Sequence, residues 1–95
     1  MIGIVAKLTI KDGAQAQFEN LANQLVTQSR EEAGCKGYTL WKTEQACVYA
    51  FVEYYADESA IQAHMQSEHY RQIGRQLGPL MEGKPEIMRL MAMTL

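Results

Sequence analysis

The histidines are the residues of this sequence best suited to proton transfer, and both lie in one short stretch. His64 and His69 are the two histidines of the chain, and they fall in the segment EYYADESAIQAHMQSEHYRQI, residues 53–73. An imidazole titrates near neutral pH and can exchange a proton with a substrate that it faces. His64 flanks an apolar stripe, so it is either a pocket residue or a neutral core residue bonded to Glu53 or a backbone carbonyl. The residue pattern by itself favours the core interpretation.

A metal site is not expected from this spacing. His64 and His69 are five positions apart, which separates them by roughly 140° on a continuous helix. His64 and Glu68 could share a helix face, but two ligands do not define a metal centre. The sequence also lacks a phosphate-binding glycine loop, a CxxC pair and a nucleophile elbow. We therefore expect no metal and no cofactor, and an exposed or capping role for His69.

Aromatic residues around a predicted hairpin and helix suggest a flat pocket for an aromatic ligand. A cation within an apolar strand either pairs at a rim or faces a ligand, which adds an arginine to the candidates. Ordinary packing in the core or at an interface would explain the same aromatic residues. The candidate ligand-binding residues are Trp41, Tyr49, Tyr54, Tyr70 and Arg89, together with Glu53.

Two hydrophobic periods predict the elements that hold these residues, because apolar side chains alternate in strands and recur every three to four residues in helices. The predicted elements are a strand over 2–10, a helix over 14–33, hairpin strands over 37–44 and 47–55, a helix from Asp57 that is split at Ser67-Glu68, and a strand over 86–94. Asp12 and Gly34 are the expected caps of the first helix. This order, βαββαβ, predicts a ferredoxin-like α+β fold with a four-stranded antiparallel sheet and both helices on one face.

The predicted sheet carries bulky apolar side chains on both faces, although helices cover only one of them. Val5, Val52 and Met88, for example, alternate with residues that face the helices. A monomer would leave the second face in water as a large apolar patch. We therefore expect a homodimer in which two sheets pack face to face about a two-fold axis.

Length and composition set further bounds on the protein. The 95 residues predict a single domain over 1–95, and 47% hydrophobic and 21% charged residues are ordinary for a globular protein. The net charge of −2 disfavours nucleic acid and anionic membranes as partners. No apolar run approaches the ~20 residues that cross a bilayer, and the first strand does not resemble a signal peptide. We expect a cytoplasmic protein in which Cys35 and Cys47 are free thiols.

Two stretches, EEAGCKGY (31–38) and VEYYADESAIQAHMQSEHYRQI (52–73), resemble the antibiotic biosynthesis monooxygenase superfamily, and in particular its quinol monooxygenase branch. Glu53, Tyr55, Ala63-His64 and Ser67-Glu68-His69 occupy the places of the family's usual string. The resemblance spans nearly the whole chain. It implies a dimeric ferredoxin-like α+β barrel that oxidises quinol-like or phenolic molecules with O₂ and no cofactor. It further implies that His64 faces the ligand, with Glu53 as its partner and Tyr49, Tyr54 or Tyr70 against the ring.

Other functions within the same fold stay open at this point. The haem-degrading branch is disfavoured, because the first strand, GIVAKL, lacks the expected Asn and Trp41 lies in the hairpin. A branch that acts on phosphorylated signal molecules has a similar histidine-bearing helix, although no basic cluster for phosphate stands out here. The alternatives to the oxygenase are a non-catalytic dimer that binds a small ligand and an isomerase or degradation enzyme for a small signalling metabolite.

Overall fold

Alternating side chains build a four-stranded antiparallel sheet in the computed structural model, which describes residues 1–94. The elements are β1 (Ile2–Thr9), α1 (Gln15–Arg30), β2 (Cys35–Lys42), β3 (Val48–Tyr55), α2 (Glu58–Gln66), α3 (Glu68–Leu77) and β4 (Glu86–Met91). The strands lie in the order β2-β3-β1-β4, and every neighbouring pair is antiparallel. This is the predicted ferredoxin-like arrangement with a split second helix. The predicted boundaries shift by a few residues, most of all at the ends of α1 and β4.

The core lies between the sheet and the helices. In β1, Ala6 and Leu8 point inward, and β1–β3 pairing sets them beside Phe51 and Tyr49. The helix α1 covers them with a buried stripe of the residues Phe18, Leu21, Ala22, Leu25, Val26 and Ser29. The stripe follows from the 3.6-residue period, as the apolar spacing predicts.

The predicted helix start at Asp57 and the predicted break at Ser67-Glu68 are confirmed, whereas the two caps expected for the first helix are wrong. Asp57 accepts a hydrogen bond from the Ala60 backbone N–H at 2.9 Å, and Ser67 caps α3. Asp12 does not cap α1, which has no side-chain cap; its carboxylate instead accepts a bond from Gln15 Nε2 at 3.3 Å.

Gly34 does not cap α1 either, because the helix ends at Arg30 and Gly34 is not at a positive φ. Gly34 instead allows α2 to pack closely, because it has no side chain. A Cβ built on Gly34 would lie 2.3 Å from Ala60 Cβ. This position therefore allows the loop after α1 to approach α2 closely.

Among the described residues 1–94, no helix covers the second face of the sheet. Trp41, Tyr54, Met88 and Leu90 lie on this face, and they are between 40% and 60% exposed. Within residues 1–94 no helix is both long and apolar enough to cross a membrane. Cys35 and Cys47 are free, and burial raises the pKa of the Cys35 thiol.

Candidate active site

A cavity of about 680 Å³ lies between the inner face of the sheet and the split helical cover. This volume is typical of small-molecule sites, which span roughly 300–1,000 Å³. Its wall is mainly apolar, with contributions from Ile4, Leu8, Phe51, Ile61 and Leu77. Such a wall binds a ligand by removing its apolar surface from water.

Polar groups gather on one part of this wall, namely Tyr38, Glu53, His64 and Tyr70. The buried Glu53 carboxylate accepts a hydrogen bond from the Tyr55 hydroxyl at 2.6 Å. Burial raises the pKa of Glu53, although the Tyr55 hydrogen bond and the charge of His64 act in the opposite direction. Burial also raises the pKa of the Tyr38 and Tyr55 hydroxyls, so both remain hydrogen-bond donors at neutral pH.

His64 occupies the centre of this polar region. It lies on α2, whose start is fixed by the Asp57 cap, and it is only 3% exposed. Its ring meets Tyr70 edge to face, with centroids 4.8 Å apart. Nδ1 lies 2.8 Å from Glu32 Oε2, whereas Nε2 is buried and has no hydrogen-bond partner among residues 1–94. When Nδ1 carries the proton and donates to the carboxylate, Nε2 keeps a lone pair for a ligand.

The break between α2 and α3 brings the second histidine to the same carboxylate. Ser67 is extended, with φ −66° and ψ 151°, so the helical phase is not continued from His64 to His69. His69 Nε2 lies 2.5 Å from Glu32 Oε2 and 3.2 Å from Ser67 Oγ. The expectation that the two histidines point apart is therefore wrong, because it assumed one continuous helix. His69 is partly buried, with 18% of its side chain exposed.

The structure brings three of the seven sequence-predicted site residues together at the cavity: Glu53, His64 and Tyr70. The other four lie elsewhere. Trp41 and Tyr54 are on the opposite face of the sheet, because they alternate with the inward-facing residues of β2 and β3. Tyr49 is fully buried beside Phe18. Its hydroxyl donates to Glu19 Oε2 at 2.5 Å, and burial raises its pKa to about 12.

Arg89 forms an exposed ion pair on the surface. Its two terminal nitrogens lie 2.8 and 3.1 Å from the Glu58 carboxylate oxygens. The bidentate pair raises the pKa of Arg89 and lowers that of Glu58. The expectation of a rim pair for Arg89 agrees with this geometry, and its side chain does not line the cavity.

Sequence reasoning missed several residues of the site. Glu32 contacts both histidines across more than thirty positions, and no periodic signal marks such a distant contact. Tyr38 belongs to the aromatic residues of the predicted hairpin but was not a candidate ligand-binding residue, although strand alternation places it on the same face as Glu53. Arg71 and Arg75 lie one turn apart on α3 and line the cavity. The cavity therefore has two positively charged side chains, although the sequence predicted no basic cluster. Their i, i+4 spacing on a helix was the available signal.

The fold and the cavity together define a small ferredoxin-like protein with a ligand-sized, mainly apolar chamber beneath a split helix. Residues 1–76 match the family described as antibiotic biosynthesis monooxygenase. The chain therefore belongs to this family, as the sequence resemblance implied, and the family supports an oxidoreductase of the monooxygenase class.

Individual relatives agree with this membership. Over 80 residues the chain is 25% identical to "Putative monooxygenase Rv0793" of Mycobacterium tuberculosis, which covers 84% of this chain and 79% of that protein. The structure of Rv0793 matches with a TM-score of 0.93 at 22% identity, over 99% of this chain and 96% of that one. A structure from Caulobacter crescentus CB15 that carries the same family description has a TM-score of 0.94 at 32% identity, over 98% of this chain and 90% of that one.

Proposed function

We propose that this protein is a cofactor-independent monooxygenase that oxidises quinol-like or phenolic aromatic molecules with O₂. The observation that carries the proposal is the buried Nε2 of His64, which has no partner among residues 1–94 and belongs to a residue of the cavity wall. A planar phenol in an apolar chamber presents one acidic proton, and an imidazole nitrogen is suited to accept it.

Glu32 is the proposed positioning residue for His64. Its carboxylate accepts from Nδ1 at 2.8 Å, which holds the ring in one orientation and stabilises the imidazolium formed on proton transfer. Glu53, with its raised pKa, and the Tyr70 ring form the polar wall next to this imidazole. The surrounding apolar wall keeps water away from the ionised substrate.

The proposed reaction draws its electrons from the substrate itself. Nε2 of His64 removes the phenolic proton, and the electron-rich ring carbon forms a C–O bond with O₂. The resulting peroxide takes the proton back from His64 and becomes a hydroperoxide. Loss of the C–H proton at that carbon then breaks the O–O bond, leaving a ring carbonyl and releasing one oxygen atom as water. One O₂ thus gives one quinone-type product and one H₂O.

Oxygen uptake on a panel of reduced naphthoquinones, hydroquinones and flavonoids tests this proposal. We expect turnover on at least one compound, with one ¹⁸O atom from ¹⁸O₂ in the product by mass spectrometry. His64→Gln should lower kcat by about 10²–10⁴-fold, the usual contribution of a general base. Tyr49→Phe is the matched control, since it removes a buried hydroxyl outside the cavity. Binding without oxygen uptake, or a product isomerised without oxygen incorporation, would contradict the oxygenase and support the ligand-binding or isomerase alternative.

We also propose that the helix-free face of the sheet pairs with a second copy of the chain. Support comes from its exposed apolar residues, among them Trp41 at 56% and Met88 at 60% exposure. Burying such a patch is favourable by about 25 cal/mol per Å² of apolar surface. Light scattering should give twice the mass of the chain, and Met88→Glu should shift the species toward the monomer.

A further inference from the structure

We propose that Glu32, His64 and His69 form a binding site for one divalent transition-metal ion, with Zn²⁺ as the ion that fits the ligand set best. One carboxylate oxygen and two imidazole nitrogens lie within 4.8 Å of one another. They come from the loop after α1, from α2 and from α3. Three such ligands with a fourth position open are a recurring zinc arrangement.

The three ligand atoms lie close enough to surround an ion once their side chains rotate. Zinc binds nitrogen and carboxylate oxygen at about 2.0–2.2 Å, which places tetrahedral ligand atoms roughly 3.3 Å apart. The contacts from Glu32 Oε2 to His64 Nδ1 and His69 Nε2 are 2.8 and 2.5 Å. They would open by about 0.5 and 0.8 Å, whereas the two ring nitrogens, which lie within 4.8 Å of each other, would close by up to about 1.5 Å.

A second observation points to a ligand at the same place. Glu32 Oε1 is buried and has no hydrogen-bond partner among residues 1–94, although buried carboxylate oxygens are normally satisfied. An ion next to Oε2 would give Oε1 a cation to approach. The imidazoles and carboxylate are also the donor types that select zinc and its transition-metal neighbours over magnesium or calcium.

The surrounding structure holds the three ligands in place. Ser67 donates from its hydroxyl to the His64 carbonyl at 2.6 Å and lies 3.2 Å from the His69 ring, so it joins the two helix ends. His64 is buried, whereas 16% of the Glu32 side chain and 18% of the His69 side chain are exposed. An ion can therefore enter from the His69 side without passing through the cavity.

Metal binding would change the proton position on His64, and this consequence rests on the proposed function. A metal on Nδ1 takes the lone pair there, so the proton of the neutral ring sits on Nε2. Nε2 then donates a hydrogen bond and cannot accept the phenolic proton. The bound ion should thus inhibit an oxygenase that uses His64 as its base.

Calorimetric titration of the full chain with Zn²⁺ tests the binding itself. We expect one ion per chain, and His69→Gln and Glu32→Gln should each weaken binding by at least about 100-fold, since loss of outer partners alone costs about 10–100-fold. Glu31→Gln, which removes the exposed neighbouring carboxylate, is the matched control and should bind as the wild type does. Equal affinity in all four proteins would overturn the proposal.

A measurement on the wild-type protein covers the case in which a variant fails to fold. Zinc should move the ¹⁵N resonances of His64 Nδ1 and His69 Nε2 and leave the other two ring nitrogens protonated; shifts on neither ring would refute the site. If zinc binds at these nitrogens but no phenol is oxidised, the metal site stands and the oxygenase fails. If turnover occurs and zinc does not bind, the oxygenase stands and the metal site fails.

Discussion

The contact between Gly34 and Ala60 sets how closely the loop after α1 approaches α2, and Gly34→Ala tests its importance. Gly34 lies two residues after Glu32, and Ala60 lies one helical turn before His64. An added Cβ would be 2.3 Å from Ala60 Cβ and 3.3 Å from Ala60 Cα. We predict that the alanine separates the two segments and lengthens the hydrogen bond between Glu32 and His64.

The size of the effect follows from the overlap. Non-bonded carbon atoms are attracted best at about 3.5–4.0 Å, so the two methyl groups at 2.3 Å must separate by at least about 1.2 Å. The Gly34 carbonyl accepts from the Ala56 N–H at 2.9 Å, which restricts the loop. Overpacking of this kind costs about 1–3 kcal/mol. The lower entropy of the unfolded alanine chain offsets about 0.4–1 kcal/mol of that. We expect a net loss of about 1–2 kcal/mol in the free energy of unfolding.

The displacement should also affect the proposed catalysis. An extra 1 Å takes the 2.8 Å contact between His64 Nδ1 and Glu32 Oε2 beyond hydrogen-bond range. Misplacement of a catalytic group by about 1 Å can lower kcat by about 100-fold. Gly34→Ala should therefore reduce kcat on any accepted phenol more than it raises KM.

Urea denaturation of a double-mutant cycle is the assay. Ala60→Gly removes the opposing methyl, so the double variant should regain about 1 kcal/mol relative to the sum of the single changes. Gly74→Ala is the stability control, because nothing lies within 4 Å of its added Cβ. That helical change should be neutral or stabilise by up to about 1 kcal/mol. Wild-type stability of Gly34→Ala, with no coupling to Ala60→Gly, would refute the reasoning.

Three further predictions concern ionisable groups. Tyr49 has its pKa raised to about 12 by burial and by Glu19, so its contribution to stability is complete below its ordinary pKa near 10 and is lost as the pH rises through 12. Urea titrations from pH 9 to 12 should show this loss in the wild type and a smaller loss in Tyr49→Phe, in which Tyr38 and Tyr55, whose pKa burial also raises, still contribute. The pKa of Glu53 is also raised in the folded protein, so its contribution to stability should likewise be lost as the pH rises above about 4.3 and through the raised pKa. In thermal melts from pH 4 to 8, Glu53→Gln should flatten this dependence of stability on pH. Arg71→Gln and Arg75→Gln should raise KM for phenols that carry a carboxylate and leave KM for neutral quinols unchanged, because only the former lose an ion pair; an equal change for both would argue against this role.

Most of the fold could be predicted because it follows from two local rules. Alternation fixed the faces of β1, and the 3.6-residue period fixed the buried stripe of α1. The helix starts at Asp57 and Ser67 were predictable because the side-chain oxygens of these residues can accept from free backbone N–H groups there. Asp12 shows the limit of that rule, since its carboxylate bonds to the Gln15 side chain instead.

The site was only partly predictable, and the errors have physical causes. Tyr54 follows the inward-facing Glu53 directly, so strand alternation already placed it on the other face, and the same reasoning applies to Trp41. Tyr49 faces the same side of β3 as Glu53, but it lies four residues away, roughly 13 Å along the strand and outside the cavity. Glu32 could not be found, because its contacts depend on how the loop after α1 meets α2 in space.

The break at Ser67 connects the fold to both proposed properties of the site. On an unbroken helix His64 and His69 would lie roughly 140° apart, and only one of them could reach Glu32. The extended Ser67 starts α3 in a new phase and direction, so His69 returns to the Glu32 carboxylate while Tyr70 and Arg71 reach the cavity. The Glu32 carboxylate therefore has two proposed roles. When it accepts from protonated Nδ1, it orients His64 as a base. When it binds an ion together with Nδ1, His64 can no longer act as that base. The extended backbone of Ser67 thus allows the proposed catalytic imidazole of His64 and the proposed inhibitory metal ion to contact the same oxygen, Oε2 of Glu32.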